Sequence, residues 1–271
     1  MSEKQKIHFI TYGDSIKYLL SIKHIKNLAN RSGIFETIKS YSKKDIDQTF
    51  LKKYKDVIDQ SRGGGFYLWK PWIILNTLNY IDENDIIYYS DAGSSFNPYG
   101  VERFKEYINL LNSSEFGNLR FENKKIYIEK HWTTKEILKY FNEDLNSKIS
   151  NTPQLLGGHL LFKKNDHTKF FFEKFFEVIN HDFNLITDFY NLDQIEGFVE
   201  NRHDQSILSI ISKKYGGVIL ENETFFENNP ENQYEYPILS VRNYGHGLRD
   251  YIKYYLNIDN KKNKPIFFEE K

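Results

Sequence analysis

The apolar run Ile7 to Thr11, rich in β-branched and aromatic residues, ends at Gly13 and Asp14. Apolar positions then recur at Ile16, Leu19, Leu20, Ile22, Ile25 and Leu28. Steps of three and four residues put these side chains on one face of a helix, with Asp14 as its N-cap and Gly33 as its stop. Phe35 to Tyr41 reads as a second strand, so the chain begins strand, helix, strand, the order of a βαβ unit in a parallel sheet. Lys43 to Ser61 is charged and reads as helical. It leads into SRGGGFYLWKPW, where Gly63, Gly64 and Gly65 release the backbone from ordinary steric limits. Pro71 fits the first turn of a helix through Ile74, Leu75 and Leu78. Asp82 to Asp85 ends that helix before an apolar strand, Ile86 to Tyr89, and Asp91 falls at the strand's carboxyl end. Ligands of open α/β sheets bind beyond those ends, where loops carry polar groups and the strands stay buried, so Asp91 stands where chemistry is expected.

Further along, Phe104 to Leu111 has helical spacing, and Thr133 with Glu136 resembles a capping box for a helix to Phe141. Pro153 to Phe162 carries Gly157 and Gly158 ahead of an apolar strand, and Phe170 to Ile179 returns to helical spacing. In NRHDQSILSIISKKYGG, Ile207, Leu208, Ile210 and Ile211 form a buried helix face that Gly216 ends. His203, Asp204 and Gln205 open that helix. A short strand, Val218 to Leu220, and the segment Pro237 to Val241 precede RNYGHGLRDY and a charged tail. The pattern is that of one α/β domain with a mainly parallel central sheet flanked by helices.

A chain of 271 residues is long enough to bury a sizeable core. Lysine plus arginine and aspartate plus glutamate balance at 37 each, which leaves no basic field to draw in nucleic acid. Cysteine is absent, which excludes disulfides and thiolate chemistry and fits a reducing compartment. The N-terminal MSEKQKIHFITYGDS has charges where a signal peptide needs apolar residues, and no run of about 18 apolar residues occurs. A cytoplasmic protein without a transmembrane segment is expected, and peripheral attachment to a membrane through a local patch stays open. The 20 tyrosines and 22 phenylalanines suit both a core and a cleft that stacks on flat bases or sugar faces.

A sugar nucleotide presents a diphosphate whose charge grows as its glycosidic bond breaks, so a transferase needs cations or helix N-termini beside that leaving group. An aspartate after a buried strand, with a distant histidine, can hold a divalent metal there; Asp91 and His246 have those residue types. The plain alternative for Asp91 is a side chain that caps the next turn.

The segment IIYYSDAGSSF, preceded by LWKPWIILNTL, resembles the core of GT-A glycosyltransferases, whose members carry Asp-x-Asp at the end of such a strand. Asp91 matches the first aspartate; Gly93 stands in place of the second and removes one charged ligand. HDQSILSII resembles the Asp-Gln pair that opens a helix in retaining galactosyltransferases and glycogenin-like enzymes. PQLLGGHLLFKK resembles their stretch that presents backbone to the acceptor, and YGHGLRDY resembles the place where they close over the diphosphate. RGGGFYLWKPW together with NRHDQSIL is similar to a group of bacterial and viral polysaccharide glycosyltransferases.

The resemblance implies transfer of a sugar from a nucleotide-sugar donor, UDP-linked, to a glycan or glycoconjugate acceptor. Asp204 and Gln205 become the catalytic pair, with Asp204 on donor hydroxyls or acceptor and Gln205 beneath the anomeric carbon. Donor contacts fall to Thr11, Tyr12, Arg62, Lys70, Asp91, Ala92, Gly93 and Arg249, with Arg242 a further candidate. Gly157, Gly158 and His159 lie on the acceptor side, and Asp91 with His246 would hold manganese or magnesium, a cofactor that Gly93 puts in question. On this reading residues 1–271 form a single domain, with a nucleotide-binding half at about 6–120, an acceptor-side half at about 121–250 and a tail at 251–271.

Structural alternatives stand beside these roles. Asp204 can be an N-cap with Gln205 solvated, Gly157-Gly158 a bulge beside a core strand, His159 a satisfied structural histidine, and Trp69 and Trp72 core anchors. RGGGFYLWKPW is no P-loop, lacking the Gly-Lys-Ser/Thr ending, and no dinucleotide fingerprint, lacking a strand just before it. Two other classes compete. A GT-A-like module that binds sugar nucleotide or glycan without turnover is kept open by Gly93. A nucleotidyltransferase would need a glycine-rich loop where the chain has TYGDS.

Overall fold

A computed structural model describes residues 5–225 and 235–241. Its centre is a six-stranded sheet in the order β2-β1-β3-β6-β5-β7. The strands are β1 (Ile7–Tyr12), β2 (Thr37–Tyr41), β3 (Ile86–Ser90), β5 (Asn118–Phe121), β6 (His159–Lys163) and β7 (Val218–Leu220). β1 pairs in parallel with β2 and β3, and β5 with β7; β6 runs antiparallel between β3 and β5. A two-stranded antiparallel sheet joins β4 (Ser95–Phe96) to β8 (Ile238–Leu239).

Helices cover both faces. On one side α1 (Ile16–Ser32) and α6 (Val101–Asn112) pack against Phe9, Ile86, Tyr88 and Leu161. On the other, α5 (Trp69–Leu78), α9 (Asp166–His181) and α10 (Asp204–Tyr215) pack against Ile10, Ile87, Tyr89, Leu160 and Phe162. Successive residues of a strand face opposite sides, so strands covered twice read as unbroken apolar runs. Every residue of β3 and β6 is buried.

The charged stretch after β2 breaks into short pieces, including α2 (Gln48–Lys53) and α3 (Lys55–Ile58). The glycines form a single turn, α4 (Gly63–Phe66), and left-handed φ values continue from Gly63 through Tyr67. Between β5 and β6 lie α7 (Glu129–Trp132) and α8 (Lys135–Tyr140). Two caps differ from expectation. Ser15, not Asp14, occupies the N-cap of α1, while Asp14 Oδ1 accepts a hydrogen bond from the backbone N–H of Lys43 at 3.1 Å. Thr134, not Thr133, caps α8, because the Thr133 hydroxyl donates instead to the buried Glu129 carboxylate at 2.7 Å. Among the described residues no helix is long and apolar enough to cross a membrane.

Candidate active site

The reversed direction of β6 builds the site. In its register with β3, Ser90 faces His159, so the start of β6 meets the end of β3. The pairing extends one residue further, with Asp91 N–H donating to Gly158 O at 2.9 Å. Neither glycine of the pair has room for a side chain: a Cβ at Gly158 would lie 2.9 Å from Asp91 Oδ2, and one at Gly157 2.9 Å from Gln205 Cβ. The glycines are therefore a close approach between elements.

The turn before α10 is held by side chains. Asn201 Nδ2 donates to the carbonyls of Leu185 and Thr187, and the His203 ring bonds to Ile186 O at 2.9 Å. His203 itself carries φ 56° at the N-cap, so Asp204 is the first helical residue and not the cap. Asp204 is buried, and its Oδ2 lies 2.8 Å from Lys70 Nζ in an ion pair. The same ammonium donates to Gly157 O at 2.9 Å and sits 3.7 Å from Asp91 Oδ1. Burial pushes the Lys70 pKa down, but the charges of Asp204 and Asp91 outweigh it and leave the pKa above the ordinary 10.5. Burial raises Asp204 to about 6 against the pull of Lys70. At neutral pH both groups are charged.

Asp91 differs from its buried neighbours: 48% of its side chain is exposed. Tyr89 donates its hydroxyl to Asp91 Oδ1 at 2.5 Å, and burial keeps that phenol protonated. Gln205 lies in the wall, where its Oε1 accepts from Gly157 N–H at 3.0 Å and its Nε2 donates to Gln154 Oε1 at 2.6 Å. Gln154 Nε2 in turn meets Glu129 Oε1 at 3.0 Å, and Glu129 pairs with Lys213 at 2.8 Å.

Above these groups opens a cleft of about 800 Å³. Tyr12, Asp91, Ala92, Gly93, Gly158, His159 and Gln205 line it, whereas Lys70 and Gly157 lie behind the lining. Trp69 does two jobs: it belongs to the core and lines the cleft, where Tyr12 stacks on it at 3.7 Å. Thr11 is buried and does not reach the lining. Arg62 is also off the lining, its guanidinium paired with Asp188 at 3.2 Å and Glu200 at 2.6 Å. His159 is buried between the hydroxyls of Tyr88, Ser90, Ser94 and Ser240, and burial lowers its pKa to about 4, so the ring is neutral. Arg242, His246 and Arg249 lie outside the described residues. Lys17, on the lining, and Gln154, bonded to Gln205, carry no signal in the sequence. Lys17 reads there as a polar position beside an apolar helix face, and Gln154 as one polar residue ahead of the glycine pair.

Among the described residues no three His, Asp or Glu side chains come together as a metal site. Asp91 offers one carboxylate beside the Lys70 ammonium, and His246, the second expected ligand, lies outside the described residues.

No family model matches the sequence, and no curated protein matches it. Solved structures do resemble the fold. WbbM, a bifunctional glycosyltransferase in its apo form, aligns with a TM-score of 0.52 over 96% of this chain and 50% of that one, at 10% identity. A glycosyltransferase involved in glycosylation of the major capsid of PBCV-1 aligns over 92% of this chain and 99% of its own, with TM-score 0.49 and 10% identity. The galactosyltransferase LgtC, solved with donor and acceptor sugar analogs, aligns over 78% and 72%, with TM-score 0.45 and 12% identity. Identities this low speak to the fold alone: the chain has the GT-A glycosyltransferase fold.

Proposed function

We propose that the chain transfers a sugar from a nucleoside-diphosphate sugar, UDP-linked, to a hydroxyl of a glycan or glycoconjugate. One observation carries the reading: the buried Lys70–Asp204 pair ties the start of α10 to the Gly157 carbonyl directly beside Asp91, at the edge of a cleft beyond the strand ends. In such a transfer the bond from the anomeric carbon to the phosphate oxygen breaks, and its electron pair stays with the diphosphate. The acceptor oxygen bonds to the anomeric carbon and its proton passes to the departing phosphate. Asp91 has the exposure to hold a ribose or sugar hydroxyl. Asp204 works from behind, fixing the Lys70 ammonium, whose field favours negative charge as it develops on the leaving group. The Tyr12–Trp69 stack offers an aromatic face for the base.

Binding without transfer is the second reading, and the burial of Asp204 favours it, since no carboxylate but Asp91 and Asp14 lines the cleft among the described residues. The test is a panel of sugar nucleotides scored for thermal stabilisation and slow donor hydrolysis, with manganese, magnesium or chelator, on wild type and Asp91→Asn. A donor well above its Kd raises the apparent stability by mass action, about 2.7 kcal/mol at a hundredfold excess. Stabilisation with hydrolysis supports transfer, stabilisation alone supports the binding module, and no stabilisation under any metal condition sinks both.

A further inference from the structure

A nucleoside diphosphate brings negative charge on both phosphoryl groups, and a cleft that receives it must answer with cations. Of the cations singled out in the sequence, Arg242 and Arg249 lie outside the described residues, and the two that lie within them are already engaged. Lys70 is buried against Asp204, the Gly157 carbonyl and Asp91. Arg62 is held by Asp188 and Glu200 away from the lining. Among the described residues, two carboxylates, Asp14 and Asp91, and one neutral imidazole, His159, line the cleft. Left to these groups, the cleft would repel the ligand.

One cationic side chain among the described residues lines the cleft: Lys17, on the first turn of α1. It is exposed, and its ammonium makes no ion pair or hydrogen bond among the described residues. Gly13, Asp14, Ser15 and Tyr18 around it line the same cleft, so Lys17 belongs to a wall and not to an outlying surface. A lysine with no partner among the described residues, in a cleft whose other charged lining groups there are the carboxylates Asp14 and Asp91, has its whole charge available to an incoming anion. Its flexible stem lets the ammonium follow a phosphate without a fixed fork geometry.

We propose that Lys17 is the residue that receives the diphosphate of the ligand in this cleft. The assignment rests on the sugar-nucleotide reading above and adds to it the group that answers the ligand's charge.

The experiment titrates UDP, GDP, ADP and inorganic pyrophosphate, and the parent nucleosides, into wild type and into Lys17→Ala, Lys17→Glu and Lys17→Arg by calorimetry at low salt. Lys26→Ala, on the same helix but off the cleft, is the control. Lys17→Ala is expected to weaken the best nucleoside diphosphate about tenfold, the scale of one charge-assisted hydrogen bond at an exposed site. Lys17→Glu should weaken it further, Lys17→Arg should restore most of the affinity, and the nucleoside should be indifferent to all three. The contrast between Lys17→Ala and wild type should shrink as salt is raised. If wild type binds a nucleoside diphosphate and Lys17→Ala binds it within twofold, the assignment is wrong and the sugar-nucleotide reading survives. If wild type binds neither a nucleoside diphosphate nor pyrophosphate, both fall together.

Discussion

Replacing Lys70 by methionine keeps most of the side chain's volume and removes its charge, so it isolates what the ammonium does. In the wild type that ammonium lies 2.8 Å from Asp204 Oδ2 and 2.9 Å from Gly157 O. Without it, a carboxylate with 2% of its surface exposed loses the cation paired with it, and breaking one side of a buried pair costs about 3–5 kcal/mol. Protonation offers Asp204 an escape. Burial already holds its pKa at about 6, above the ordinary 3.8, although Lys70 pulls it down. With Lys70 gone the pKa rises further, and each added unit is about 1.4 kcal/mol. A folded-state pKa above the unfolded value means that the folded chain binds the proton more tightly. The corresponding stability is present at low pH and is lost as pH rises towards the folded pKa. Lys70→Met should therefore be much less stable than wild type at pH 8 and closer to it at pH 5. His24 and His159, both pushed down to about 4 by burial, lose stability in the opposite direction as pH falls. They largely cancel when variant and wild type are compared at one pH. Urea unfolding followed by tryptophan fluorescence measures the difference, provided the slope m is unchanged. The double variant Lys70→Met/Asp204→Leu should regain much of the loss at pH 8, because neither half of this buried pair remains. A single-variant loss below about 1 kcal/mol at pH 8, or an equal loss at both pH values, would refute the reasoning.

Two further outcomes follow from the same contacts. Gly158→Ala places a Cβ 2.9 Å from Asp91 Oδ2, so it should displace that side chain and lower nucleotide-induced stabilisation several-fold; the melting temperature of the free protein, read in the same thermal scan, should move little. Gln154→Leu removes the acceptor of Gln205 Nε2 and one donor to the buried Glu129. It should cost about 2–3 kcal/mol in urea unfolding, the scale of buried groups left unsatisfied.

Much of the fold was legible because a doubly covered sheet writes its strands as unbroken apolar runs and its helices as periodic ones. The direction of β6 was not, since HLLFK is equally apolar read either way and no turn chemistry marks the reversal. β4 and β8, two residues each, are too short for any periodicity to show. Cap positions slipped by one where a competing partner claimed the side chain, as Lys43 N–H claims Asp14 and Glu129 claims Thr133. The same kind of competition misdirected Arg62. Its residue type suits phosphate, yet Asp188 and Glu200, far along the chain, were invisible as partners until the fold brought them together.

The reversal of β6 also fixes what Gln205 can do. A backbone N–H can only donate, so the group that meets Gly157 N–H must be Oε1 of Gln205, which leaves Nε2 facing Gln154. Gln154 must then present its own Oε1 to that Nε2 and its Nε2 to Glu129. Each orientation follows from the one before it, back to a carboxylate that can only accept. The Gln205 carbonyl is thereby spent on the backbone of the glycine pair, while Lys70 holds the Gly157 carbonyl from the other side. Both backbone polar groups of Gly157 are clamped, one by each partner, and Asp91 hangs from the next residue's carbonyl through its own N–H. A one-residue slip of β6 would turn its alternate side chains to the opposite face and break the clamp. Register, glycine pair and buried ion pair thus stabilise one arrangement, and the exposed carboxylate of Asp91 is the part of it left free to meet a ligand.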